Sequence, residues 1–170
     1  MTRDEQFSGF ASAAMPVLWR TACLLTGDAA RAEDLVQQAL LRTYLAWSRV
    51  RVDDATAYAR RVLVNAHTDG WRRTRREDLV DDVPEPPGPP DESALAALVD
   101  RETVLPALAL LTDRERAVIV LRYFAQLTER EIADELGVAP GTVKSTASRA
   151  LRRMRAALTE HAPTTNGGTR

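Results

Sequence analysis

Thr128-Glu129-Arg130-Glu131-Ile132-Ala133-Asp134-Glu135-Leu136-Gly137-Val138-Ala139-Pro140-Gly141-Thr142-Val143-Lys144-Ser145 is the stretch that decides the fold. It opens with threonine followed three residues later by glutamate, a capping box in which each side chain satisfies the other's orphan backbone amide. Ile132, Ala133 and Leu136 then share one helical face. Gly137 stops the helix, since it adopts positive φ without a Cβ penalty. Pro140 stands where a first-turn proline belongs, because the donor it lacks has no partner there. Helix, short glycine-containing turn and second helix make a helix-turn-helix. At about 100° per residue, Val143, Ala147, Ala150, Leu151 and Met154 gather on one side of the second helix. Thr142, Lys144, Ser145, Ser148, Arg149 and Arg152 are expected on the other. Residues 139–155 hold five basic side chains and no acidic one, as suits a helix that displaces counterions from phosphates and donates to guanine edges. This face is the expected DNA-binding surface.

Outward from this motif, each segment with apolar periodicity predicts helix. Thr112-Asp113-Arg114-Glu115 is a second capping box, opening a run that carries Val118, Ile119, Leu121 and Tyr123. Near the N-terminus, Phe7, Phe10, Ala14, Leu18, Ala22 and Leu25 form an apolar stripe ended by Gly27. Leu35, Val36, Ala39, Leu40, Tyr44 and Trp47 form the next. A third helix, from about Ala55 to Arg73, is expected to bury Tyr58, Val62, Ala66 and Trp71. No segment alternates with period two for long enough to argue for a sheet, so the fold class is all-α.

Between the modules lies Val83-Pro84-Glu85-Pro86-Pro87-Gly88-Pro89-Pro90. Proline lacks a donor and fixes φ, so this stretch predicts an extended, semi-rigid spacer. The expected organisation is a helical domain at 1–76, an acidic Pro-rich linker at 77–98, a helix-turn-helix domain at 99–160 and a frayed tail at 161–170. The net charge of −1 conceals a division that follows these modules. Residues 1–76 carry 12 basic and 8 acidic side chains, residues 77–102 carry 1 and 9, and residues 103–170 carry 10 and 7. Two basic modules flanking an acidic connector fit a polyanionic partner.

At 45% hydrophobic the 170-residue chain has enough apolar side chains to build cores. No run approaches the ~18–20 apolar residues of a membrane span, so no membrane insertion is expected. The N-terminus lacks the order of a secretory signal. A single cysteine, Cys23, excludes an internal disulfide and fits a reducing, cytoplasmic setting. No glycine-rich phosphate loop, metal-ligand cluster or nucleophile–base pair is legible, and His67 and His161 have no catalytic neighbourhood. The chain is expected to be no enzyme and to need no cofactor or metal.

Leu111-Thr112-Asp113-Arg114-Glu115-Arg116-Ala117-Val118-Ile119-Val120-Leu121-Arg122-Tyr123, followed by the helix-turn-helix, resembles region 4 of bacterial sigma factors. Independently, Leu25-Thr26-Gly27-Asp28 with Ala32-Glu33-Asp34-Leu35-Val36-Gln37-Gln38-Ala39 resembles regions 2.1–2.2. Ala57-Tyr58-Ala59-Arg60-Arg61-Val62-Leu63-Val64-Asn65, with Asp69 and Arg72-Arg73, resembles regions 2.3–2.4. The chain is thus similar to extracytoplasmic-function sigma factors of the sigma-70 family (group 4), of an actinobacterial kind, and the resemblance covers most of it.

The resemblance implies a transcription initiation factor that binds core RNA polymerase and directs promoter recognition and −10 melting. Asp34, Gln37 and Leu41 would dock on the clamp helices of the polymerase's largest subunit, and the flap of the second-largest subunit is a further implied contact. Asn65, whose carboxamide both donates and accepts, would lie near the pocket for an unstacked −10 base. The loop Ser48–Asp54 would help form that pocket, with no individual roles assigned. Arg60, Arg61, Arg72, Arg73, Arg75 and Arg76 would hold the DNA backbone near the melting point. The recognition helix would read the −35 element. Many relatives carry arginine after the Lys-Ser pair where this chain has Thr146, which puts the −35 sequence in question but not the mode of binding. An anti-sigma factor is a possible further partner.

Two alternatives stay open. The linker acids Asp78, Asp81, Asp82, Glu85, Asp91 and Glu92 would either occupy a basic channel of polymerase or serve as a solubilising tether. The whole chain could instead be a helix-turn-helix regulator whose N-terminal module senses a ligand or dimerises.

Overall fold

The computed structural model describes residues 1–75 and 101–160. The expected linker at 77–98, Arg76 and the tail at 161–170 lie outside them, as do the side chains of Trp71, Arg72, Arg73 and Arg75. Every regular element among the described residues is helical. The helices are α1 (Arg3–Thr26), α2 (Ala29–Ala46), α3 (Ala55–Arg75), α4 (Arg101–Ala109), α5 (Asp113–Ile119), α6 (Glu129–Leu136) and α7 (Pro140–Glu160).

Local chemistry accounts for most of the boundaries. The Thr2 side chain accepts from the Glu5 amide while Glu5 accepts from the Thr2 amide, a third capping box that starts α1. Gly27, at φ 66°, ends it, and Asp28 then caps α2 by accepting from the Arg31 amide at 2.8 Å. The boxes Thr112/Glu115 and Thr128/Glu131 both form as the spacing predicts. A single turn, Val52–Asp54, leads into α3. After Ile119 the backbone widens into a π turn, Val120–Phe124, with the Ala125 amide donating to the Val120 carbonyl at 3.0 Å.

Helices α1, α2 and α3 pack together as the front of the molecule. The rings of Phe7, Phe10, Tyr44 and Trp47 stack edgewise or tilted at 5.0–5.8 Å and join the start of α1 to the end of α2. The Tyr44 hydroxyl donates to Asp4, and the Arg3 guanidinium donates to the Tyr44 carbonyl. Leu18, Ala22, Leu25, Ala32, Val36 and Ala39 fill the centre, as their periodicity predicts.

On α3 the buried line differs from the expected one. Tyr58 is exposed and Val62 and Ala66 are only half-buried, whereas Ala55, Ala59, Leu63, Val64 and Thr68 are enclosed. The inward stripe runs one residue later, a rotation of about 100°. The small side chains of Ala55 and Ala59 allow close helix approach, leaving the larger Tyr58 at the rim.

Helices α4 to α7 form the rear, with α7 packed on α4, α5 and α6. Rather than standing as separate bodies, front and rear share one continuous apolar core running from Ala14 to Met154. The π turn and α5 lie against α1, and α6 lies against α3.

Candidate nucleic-acid and polymerase interfaces

The turn between α6 and α7 sets the recognition helix. Gly137 sits at φ 65°, and the Val138 amide donates back to the Ala133 carbonyl at 3.0 Å. Val143, Ala147, Ala150, Leu151 and Met154 are all buried, as the sequence predicts. Lys144 and Arg152 are exposed, together with Arg153 and Arg155, and Thr142, Ser145 and Arg149 are half-buried. The Ser145 hydroxyl donates to the Thr142 carbonyl at 3.1 Å.

Ser148 departs from its expected outward position, being only 4% exposed. Thr146, the position where many relatives carry arginine, is buried to the same degree. Both follow from α7 being covered by three helices instead of one, which widens its inward arc beyond the apolar positions alone.

One strut holds this helix in place. Glu115, 3% exposed, accepts from the Thr112 amide at 3.0 Å, and the same Oε2 pairs with the Arg153 guanidinium at 3.3 Å. The cap of α5 and the middle of α7 therefore share one carboxylate oxygen. The capping-box spacing marked Glu115, but nothing local marked Arg153 as its partner.

In the front half, Asp34, Gln37 and Leu41 project from one exposed face of α2, with Leu41 60% exposed. Leu45, one turn further, is also exposed, and sequence reading did not single it out. Gln37 donates to Glu33 at 3.2 Å, which aligns its amide along the helix. An apolar strip beside polar side chains at helical spacing is suited to a partner helix.

The expected −10 residues are divided. Asn65 is half-buried on α3 and Arg61 is exposed. Arg60 turns inward, its guanidinium 3.9 Å from the Glu135 carboxylate of α6, with the two side chains 15% and 3% exposed. Burial pushes the Glu135 carboxyl above its ordinary value, against the opposing pull of Arg60 and Arg61. His67, for which the sequence suggested no role, is half-buried with its Nε2 lacking a hydrogen-bond partner. Burial lowers its pKa, opposed by Asp113 and assisted by Arg31 and Arg116. No group of three His, Cys, Asp or Glu side chains able to hold a metal occurs among the described residues.

Comparison with known proteins places both halves. The profile described as Sigma-70 region 2 matches residues 10–77, and that described as Sigma-70, region 4 matches residues 101–154. The chain is similar to the RNA polymerase sigma-E factor of Streptomyces coelicolor, at 37% identity over 155 residues, covering 90% of this chain and 86% of the relative. It is 40% identical over 152 residues to the ECF RNA polymerase sigma factor SigL of Mycobacterium tuberculosis, covering 85% of this chain and 84% of that one. A solved structure, the sigma factor RpoE in complex with the anti-sigma factor NepR from Bartonella quintana, shares the fold at a TM-score of 0.67 and 24% identity, covering 95% of this chain and 100% of that chain. With residues 10–77 matching region 2, the alternative of a sensor or dimerisation module there loses its basis.

Proposed function

Because the chain belongs to the sigma-70 family of RNA polymerase sigma factors, of the extracytoplasmic-function kind, it works in transcription initiation with core polymerase and promoter DNA, and we propose how its residues divide that work. Residues 1–76 form the docking and −10 half, residues 99–160 the −35 half, and residues 77–98 the connection. On α2, Asp34, Gln37 and Leu41, extended by Leu45, engage the clamp helices. Lys144, Arg149 and Arg152 lie along the −35 duplex, with Thr142 and Ser145 near the helix start, where the dipole favours phosphate. Ser148 acts from inside the helix packing rather than by touching DNA. Asn65 reads an unstacked −10 base, and Arg61, Arg72 and Arg73 hold the adjoining backbone, while Arg60, turned inward on Glu135, serves the packing of α3 on α6. Trapping that base offsets the few kcal/mol of unstacking.

The observation that carries this reading is the pairing of two exposed faces. One is the basic side of the recognition helix, free of acidic residues from 139 to 155, and the other is the Leu41 strip on α2. The protein contributes binding energy and no reaction of its own. No helix among the described residues is long and apolar enough to cross a membrane, and we place its work in the cytoplasm, where polymerase and chromosome meet. Co-elution with purified core polymerase and run-off transcription from a cognate promoter test the assignment. The Asp34→Ala/Gln37→Ala variant should lose co-elution while keeping its helical circular dichroism. Unchanged co-elution would overturn the docking face.

A further inference from the structure

We propose that the outer face of α1 is a self-association surface. A second copy of this chain packs antiparallel along it, about a two-fold axis between Ser12 and Ala13, and pairs Glu5 of each copy with Arg20 of the other. None of the residues assigned to polymerase or promoter takes part.

The face lacks charge where a solvent-facing helix would carry it. Charged side chains make up 28% of the chain, yet residues 6–19 contain none. One side of this stretch is used inside the front half: Ala14 and Leu18 are buried, and the Phe7 and Phe10 rings meet Tyr44 and Trp47. The opposite side is open and carries large apolar groups, with Met15 40%, Val17 49% and Trp19 38% exposed. Single exposed apolar side chains are ordinary, but three within five positions on an uncharged face mark a contact surface.

The two ends of the face select a second copy as its occupant. Glu5, Gly9, Ser12, Ala13, Pro16 and Arg20 fall within one arc of about 100° on α1, and all are exposed. This arc is acidic at its start and basic at its end. A copy laid antiparallel sets Glu5 against Arg20, Gly9 against Pro16 and Ser12 against Ala13, and the two-fold axis repeats each contact. A copy laid parallel would set acid on acid and base on base. Both charges can take a partner. Glu5 accepts from the Thr2 amide through Oε2, and a carboxylate has a second oxygen to offer. The Arg20 guanidinium lies 5.7 Å from the centre of the Phe124 ring, a contact with its face that leaves N–H donors at its edge.

The centre of the arc suits close pairing. A Cβ added at Gly9 would meet nothing within 4 Å in the chain itself, so the space there is open to a partner's side chain. Pro16 lies inside α1 and has no N–H for the Ser12 carbonyl four residues back. The Ser12 hydroxyl of the facing copy can donate to that carbonyl across the axis. Trp19 and Met15 on one flank and Val17 on the other then close over the contact. Residues 5–20 span about 24 Å of helix, and a pair of that length buries on the order of 1,000 Å² in total. Such an area is at the low end for a specific interface and makes a reversible dimer. The inner side of α1 keeps its place in region 2, so pairing adds to that role without replacing it.

Sedimentation equilibrium of the full-length protein, from low micromolar to several hundred micromolar, tests this. Wild type should pass from monomer to dimer across that range, more readily at low salt than at high, since the paired charges are exposed. Ala13→Glu, which sets two acids beside the axis, should weaken dimerisation about tenfold or more. Its helical circular dichroism and its co-elution with core polymerase should be unchanged. Arg20→Glu and Glu5→Arg should each stay monomeric alone, and their equimolar mixture should recover wild-type dimerisation, which misfolded variants would not do. A wild type that stays monomeric throughout overturns the second copy as occupant, and loss of polymerase by Ala13→Glu in that case would make polymerase the occupant instead. A dimer untouched by Ala13→Glu overturns the α1 face, and a mixture that fails to pair overturns the antiparallel register.

Discussion

Glu115 and Arg153 tie the cap of α5 to the recognition helix: the same Oε2 that accepts from the Thr112 amide at 3.0 Å also faces the Arg153 guanidinium at 3.3 Å. Glu115 is nearly inaccessible, while the Arg153 side chain is half-exposed. The two ends of this interaction therefore differ in weight. Glu115→Ala removes half of a capping box and leaves a space in the packing. It should cost about 1–2 kcal/mol in urea denaturation. Arg153→Ala should cost less than about 1 kcal/mol, since its charge remains hydrated. Equal losses would show that the ion pair, not the cap, carries the effect.

The salt dependence of −35 binding separates exposed from buried positions on α7. Lys144→Ala should weaken binding to a −35 duplex and reduce the slope of log affinity against log salt by about 0.9 if it contacts one phosphate. Ser148→Ala, at a buried position, should leave that slope unchanged. A slope altered by Ser148→Ala and untouched by Lys144→Ala would invert the assigned face.

On α3 the observed register predicts an asymmetry opposite to the one expected from sequence. Leu63 is fully enclosed and Tyr58 sits at the rim, 36% exposed. Leu63→Ala should lose about 2–5 kcal/mol in chemical denaturation, and Tyr58→Ala no more than about 1 kcal/mol. A larger loss at Tyr58 would restore the earlier register.

Leu41 tests the docking strip without a folding confound. Being 60% exposed on α2, it contributes little to the core, so Leu41→Ala should leave thermal stability within about 0.5 kcal/mol of wild type. Its affinity for core polymerase should fall several-fold in a fluorescence titration. Undiminished affinity would remove Leu41 from the interface.

His67 sets an acid response. Burial lowers its pKa in the folded chain, so the unfolded chain takes the proton first. Its contribution is undiminished above the ordinary histidine value of about 6.5 and is lost as pH falls through the depressed one. The facing charges are Asp113, which favours protonation, and Arg31 and Arg116, which oppose it. Glu135 acts in the opposite sense, because its raised pKa means that the folded chain gains relative stability as that carboxyl protonates. His67→Gln should therefore flatten the fall in melting temperature between about pH 7 and pH 5. An unchanged fall would exclude His67 as its source.

Helix starts and stops, the helix-turn-helix and the core side of α7 were legible in sequence because each depends on partners within about four residues. Thr128 finds Glu131, Gly137 turns the chain, and Val143 to Met154 repeat at the helical period, whatever the rest of the molecule does. The resemblance to two sigma regions in order was likewise readable from contiguous residues. Tertiary structure alone decided the rest. Which alanines of α3 face inward, why Thr146 and Ser148 are covered, and where the Arg60 charge goes depend on helices supplied from elsewhere in the chain. Arg116 meets Leu25 across 91 positions, and no periodicity carries information over that distance. Side-chain burial and charge pairing belong to the packing of whole helices, which no local stretch of sequence specifies.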